Sequence, residues 1–228
     1  MITIPESVRQ GSLLFAGLSR EEANSSLLCS GAHIEMYPRG RQVFRQQDTP
    51  KELLMLVSGS IIIGSNSMDG RQNLVAIIDQ PGDIFGEIFL FTQRRQYDYY
   101  AEAKETTSVL HMPRNFLYHT CSEACSHHSQ LISNMMHILA QKAYGMNQRL
   151  QVLSAGNLRQ KIARVLLQHC DESGKVSLPM NQVQLASYLS ATRPSLSREL
   201  AKMNEEGLIS IDKKKLSVPH PAQLASLL

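Results

Sequence analysis

From Ser126 to Ser154 the chain runs 29 residues without a proline and with one glycine, Gly145. No other feature limits the fold as strongly. Apolar side chains recur there at Ile132, Met135, Leu139, Ala143, Met146, Leu150 and Leu153, in steps of three and four that share one helix face. Such a helix would be about 44 Å long, more than one small β domain can cover. The spacing therefore predicts that these seven residues form a dimer interface with a second copy of the chain.

The texture before the helix is different. From Gly31 to Pro113 short β-rich runs alternate with turns: Arg41–Arg45, Leu53–Val57, Ser60–Gly64, Asn73–Ile78 and Thr106–His111, with Gly59, Asp69-Gly70 and Pro81-Gly82-Asp83 at the joints. Short strands about ten residues apart predict a β-sandwich or jelly roll. After the helix, Ser154-Ala155-Gly156-Asn157 predicts a helix stop with Gly156 left-handed, then a new helix capped by Asn157. The expected divisions are 1–125, 126–154 and 155–228.

In the last of these, Gln182 to Met203 predicts helix, turn, helix. Leu185, Ala186 and Leu189 bury the first helix, Ser190-Ala191 turns, Thr192 caps the second, and Pro194 falls in its first turn. Leu196, Leu200 and Met203 face inward, leaving Arg193, Ser195, Ser197, Arg198 and Lys202 outward. A helix fits the major groove of B-DNA, where arginine reads guanine through paired hydrogen bonds. Ile209–Val218 predicts a β-hairpin wing with Lys213, Lys214 and Lys215 set for phosphates. Charge agrees, with 12 basic against 14 acidic residues over 1–148 but 11 against 6 over 149–228. Double-stranded DNA is the expected partner.

With these motifs in view, the chain resembles the cyclic-AMP receptor protein and fumarate–nitrate regulator (Crp/Fnr) family of transcription factors. The resemblance rests on Leu14-Phe15-Ala16-Gly17-Leu18-Ser19, Gly40, Val57-Ser58-Gly59-Ser60, Asp69-Gly70, Pro81-Gly82-Asp83-Ile84-Phe85-Gly86-Glu87 and Thr192–Leu200. It implies an α+β chain with an N-terminal jelly-roll β-roll like that of cyclic-nucleotide-binding domains, a long dimerisation helix and a C-terminal winged helix-turn-helix. It further implies a homodimer on a two-fold symmetric operator, an allosteric small-molecule or gas effector, and RNA polymerase as partner if the protein activates. The position of Arg198 matches the family's guanine reader and Ser197 a base-contacting serine. Pro194 replaces the usual glutamate between Arg193 and Arg198, so that part of the half-site code differs.

For the sensor half, the resemblance points to Gly86, Glu87, Arg94, Arg95, Tyr97, Asp98, Met146 and Asn147 as an effector pocket. Cyclic-nucleotide binders of the family carry an Arg-Ser pair for the phosphate where this chain has Tyr97-Asp98, and an aspartate there would repel the ligand. The iron–sulfur type needs N-terminal cysteines, and none precedes Cys29. Cys121, Cys125, His127 and His128 are candidates for a metal or haem. Single His33 and His111 are expected to be structural. Haem-dependent gas sensing, thiol redox and a small organic effector are the expected alternatives, with a cyclic nucleotide as a further one should a shifted loop bring in Arg94 or Arg95.

Other classes fit poorly. At 43% hydrophobic and 19% charged, composition is that of a globular chain. No apolar run reaches the ~18 residues of a membrane span, no signal peptide is evident, and the irregular cysteines predict reduced thiols in the cytoplasm. A metal cupin, which shares the jelly roll, needs a His-x-His pair, and no two of the eight histidines are spaced two apart. An enzyme is therefore not expected.

Overall fold

Leu53 to Val57 is an unbroken apolar run, and the strand it lies on, β3 (Glu52–Ser58), is buried on both faces. That is the pattern of a strand between two cores. The computed structural model describes residues 4–66, 72–93, 95–114, 126–212 and 215–228. They divide into two compact units, Met1–Ala140 and Gln141–Leu228.

The first unit holds two antiparallel four-stranded sheets. One has the order β1 (His33–Tyr37), β8 (Thr107–Pro113), β3, β6 (Ile84–Phe85). The other runs β2 (Gln42–Phe44), β7 (Tyr100–Ala103), β4 (Ile61–Asn66), β5 (Gln72–Ile78). Because side chains alternate along a strand, Leu54 and Leu56 join Tyr37, Phe44, Ile61, Phe85, Tyr97 and Val109 in one core. Leu53, Met55 and Val57 join Leu110 and Met112 in another, with the helices: Val8 of α1 (Glu6–Gly11), Ala23 and Leu27 of α2 (Arg20–Ser30), and Leu131, Met135 and Ile138 of α4 (Ser126–Leu153). A short helix, α3 (Glu87–Phe91), follows β6.

Two local devices hold this arrangement. Ser19 caps α2 through a reciprocal pair, its hydroxyl accepting from Glu22 N at 3.2 Å and the Glu22 carboxylate from Ser19 N at 2.8 Å. Gly59, at φ 88°, lets β3 turn into β4 where any Cβ would stand 2.5 Å from Thr107 Oγ1. On α4, buried Asn134 donates to the carbonyls of Leu14 and Ala16 at 2.9 and 2.8 Å.

The second unit comprises α5 (Leu158–Gln168), α6 (Gln182–Tyr188), α7 (Arg193–Glu205) and α8 (Pro221–Ala225), with a sheet of order β10 (Ser210–Asp212), β11 (Lys215–Ser217), β9 (Lys175–Val176). Its core gathers Val152, Ile162, Val165, Leu166, Leu185, Leu189, Leu196, Leu200, Met203 and Ile209. Among the described residues no helix is long and apolar enough to cross a membrane.

Three expectations need correction. Gly156 is not left-handed; its lack of a Cβ leaves room for Gln160 Oε1, which a side chain would meet at 2.8 Å and which accepts from Asn157 N in the α5 capping box. Met135 is not on the exposed face of the long helix. It is 4% exposed in its own unit's core, while its neighbour Met136 is 67% exposed. Of the remaining seam positions, Ile132, Ala143, Met146 and Leu150 are exposed, and Leu139 and Leu153 are half-buried. Finally, β1, β6 and β7 are strands that the turn spacing alone does not predict.

Candidate nucleic-acid interface and effector cavity

The second helix of the pair, α7, starts as its residues require. Thr192 Oγ1 accepts from Ser195 N at 3.3 Å and donates to Ser195 Oγ at 2.9 Å, and Pro194 sits in the first turn, where no N–H partner is lost. Leu196, Leu200 and Met203 are buried. The 3.6-residue period then turns Arg193, Arg198 and Lys202 to solvent, with Ser195 and Ser197 half-buried beside them. Arg198 Nε is 3.4 Å from the Pro194 carbonyl, a loose contact that leaves the guanidinium on the outer face.

Three further residues position it. Gln182 Nε2, at the start of α6, donates to Ser197 Oγ at 3.1 Å. Arg159 of α5 donates to Glu199 at 2.6 Å and, through two nitrogens, to Glu206 at 2.6 and 3.0 Å, bracing α7 and the turn after it. Hydrogen bonding to Arg159 holds the Glu206 carboxyl below its usual range. Asn204 Oδ1 accepts from Ile211 N at 2.8 Å and so ties the wing strand to α7. A Gln at a helix start, or an Arg–Glu pair 40 residues apart, leaves no periodic trace in a sequence. Lys215 is exposed on β11, while Lys213 and Lys214 lie outside the described residues.

In the first unit, Val43, Phe44, Asp48, Thr49, Lys51, Glu52, Leu54, Tyr97 and His111 line a cavity of about 330 Å³ at one end of the space between the sheets. The Tyr97 backbone is pinned there by Gln47 N donating to its carbonyl at 2.8 Å and its own N–H donating to Asp48 at 2.9 Å. Its ring, 4% exposed, stacks on Phe44 at 3.8 Å and meets Phe89 edge-on at 5.4 Å. Burial, and then the carboxylates of Glu52, Asp48 and Glu87, push the Tyr97 hydroxyl up.

Among the described residues of the first unit, the expected pocket residues do not line one cavity. Tyr97 lines the cavity, whereas Asp98 is exposed, so the aromatic ring rather than the aspartate faces inward. Gly86, at φ 75°, precedes α3, and Glu87 is 2% exposed. Arg95 lines a separate cleft with Thr49, Phe91 and Arg114. Met146 and Asn147 are exposed in the second unit. Arg94, Cys121 and Cys125 lie outside the described residues. His127 and His128 lie 5.0 Å apart between ring centroids; His127 Nε2 is buried with no hydrogen-bond partner among the described residues, and burial lowers the His128 pKa.

Residues 34–124 match the cyclic nucleotide-binding domain family, and residues 160–227 match the Crp-like helix-turn-helix domain family. The chain is 26% identical over 219 residues to the cyclic AMP receptor protein of Thermus thermophilus, covering 96% of this chain and 97% of that one. The nitrogen fixation regulation protein FixK of Rhizobium meliloti is 27% identical over 202 residues, covering 85% and 86%. The crystal structure of the Thermus thermophilus catabolite activator protein superposes with a TM-score of 0.54 at 25% identity, over 95% of this chain and 98% of that one. The chain belongs to the Crp/Fnr family. It is a DNA-binding transcription regulator with an effector-binding domain.

Within this Crp/Fnr regulator the Thr192 cap fixes where the recognition helix begins. Thr192→Ala should destabilise the second unit by about 0.5–2 kcal/mol. Urea unfolding followed by far-UV circular dichroism measures this, and an unchanged midpoint would mean that water caps the helix equally well.

Proposed function

We propose that this regulator works as a homodimer on a two-fold symmetric operator, gated by a small effector other than a cyclic nucleotide. It acts by binding rather than catalysis, in the cytoplasm. The supporting observation for the dimer is the large exposed apolar side chains of α4: Met136, Tyr144, Met146 and Leu150 are each more than 60% exposed, with Ile132 and Ala143 between and beside them. A helix face of this composition is costly to leave in water. Met146→Glu with Leu150→Glu should convert the dimer to monomer by light scattering. Operator affinity should fall by at least about 100-fold, because the second half-site then no longer binds as an intramolecular event. A variant that remains dimeric, or binds as tightly, would sink the dimer reading.

For the effector, the inner end of the β-roll argues against a cyclic phosphate. Tyr97 stands where the family's phosphate-binding arginine falls, and Asp48, Glu52 and Glu87 act on it with negative charge. A phosphodiester brought among them gains no ion pair and meets repulsion. The cavity instead suits a small neutral or cationic organic molecule stacked on the Phe44–Tyr97 pair. Calorimetric titration with cyclic AMP and cyclic GMP should give no saturable heat. One-to-one binding of either would overturn this reading.

A further inference from the structure

We propose that His33, Glu35 and His111 form a binding site for a divalent first-row transition-metal ion on the β-roll. The site arises from strand register. His33 of β1 pairs directly with His111 of β8, 78 positions later, and Glu35 lies two residues beyond His33, on the same face. One ligand atom from each of the three lies within 4.8 Å of the others. Tetrahedral coordination at 2.0–2.1 Å wants its ligand atoms about 3.3 Å apart, so binding an ion requires the exposed His33 and Glu35 side chains to rotate inward. His33 and Glu35 are exposed, giving an ion its way in, while His111 is 5% exposed and fixed.

The surroundings of His111 are what distinguish this cluster from a chance one. Its Nδ1 is 2.7 Å from Glu52 Oε2. A carboxylate only accepts, so Nδ1 carries a proton and Nε2 is the nitrogen through which His111 would bind an ion. Nε2 is directed toward Glu35 Oε2 at 3.9 Å and the Tyr37 hydroxyl at 3.1 Å. A carboxylate orienting a histidine whose far nitrogen faces another candidate ligand is the outer-shell arrangement of metal-binding imidazoles. Tyr37 donates to Glu35 Oε2 at 2.8 Å and so orients the second ligand. The His33 ring lies parallel to that of His111, centroids 4.9 Å apart. Two imidazoles and one carboxylate suit Zn²⁺ or Fe²⁺ rather than Mg²⁺ or Ca²⁺, which take all-oxygen ligand sets.

The test is a Zn²⁺ titration of the full chain carrying Cys29→Ser, Cys121→Ser, Cys125→Ser and Cys170→Ser, which removes all four competing thiols. Binding is followed by competition with a chromophoric chelator and by the visible bands of Co²⁺ in place of Zn²⁺. One ion per chain is expected. His33→Asn and Glu35→Gln, both on exposed side chains, should each weaken binding at least about 10-fold, and Glu52→Gln about 10- to 100-fold through the orientation of His111. No saturable uptake overturns the proposal, as does equal uptake in His33→Asn and Glu35→Gln, or a loss confined to one of them.

Discussion

Arg198→Ala should lower affinity for the specific operator by about 1–3 kcal/mol, about 5- to 150-fold, and leave affinity for random-sequence DNA nearly unchanged. Arg198 is exposed on the outer face of α7, and among the described residues its side chain makes one hydrogen bond, the loose one to the Pro194 carbonyl. Its loss therefore costs the fold little. The discriminating energy comes from paired hydrogen bonds to a guanine edge, which a phosphate contact cannot supply. Lys215→Ala provides the contrast: it should weaken specific and random binding alike and reduce the salt slope by about one charge. An operator selected from random DNA by the unaltered protein, titrated by anisotropy at two salt concentrations, separates the two. Equal losses on both DNAs for Arg198→Ala would remove it from base reading.

Leu196→Ala, two residues earlier on the same helix, should act by the opposite route. Leu196 is fully buried among Leu185, Leu189, Leu200 and Met203. Removing its branched end deletes apolar contacts and leaves a cavity, a loss of about 2–5 kcal/mol. A domain's whole stability is about 5–15 kcal/mol, so the second unit would be near its unfolding threshold. The chain has no tryptophan, so unfolding is best followed by far-UV circular dichroism. A change below about 0.5 kcal/mol would mean that the core collapses to fill the space. Arg198→Ala, by contrast, should unfold as the unaltered protein does.

The readable parts of this fold were those written in nearby residues. Gly59 and Pro81-Gly82-Asp83 punctuate strands, Asn157 and Thr192 carry their own helix starts, and the recognition helix separates its apolar and basic faces within four turns. The parts that stayed hidden depend on distant partners. Four of the five residues of β1 are exposed, so His33–Tyr37 lacks the alternation that marks a half-buried strand. Ala101 and Ala103 are fully buried in β7, yet alanine has no strand preference. Met135 and Met136 are identical to a periodicity argument, and only the packing of α4 against Leu14 and Phe15 separates them. Tyr97 and Asp98 divide between interior and solvent through backbone bonds to Gln47 and Asp48, which residue type does not encode. His33 and His111 look structural singly, and become neighbours only through register.

The double burial of β3 makes that strand a party wall, one residue thick, between two rooms. Whatever occupies the β-roll cavity presses on Leu54, whose neighbours along the same backbone, Leu53 and Met55, face the helical room where Leu131, Met135 and Ile138 are packed. Such interiors are too dense to absorb a shift locally. A ligand arriving on one side is therefore felt on the other without a single side chain crossing between them.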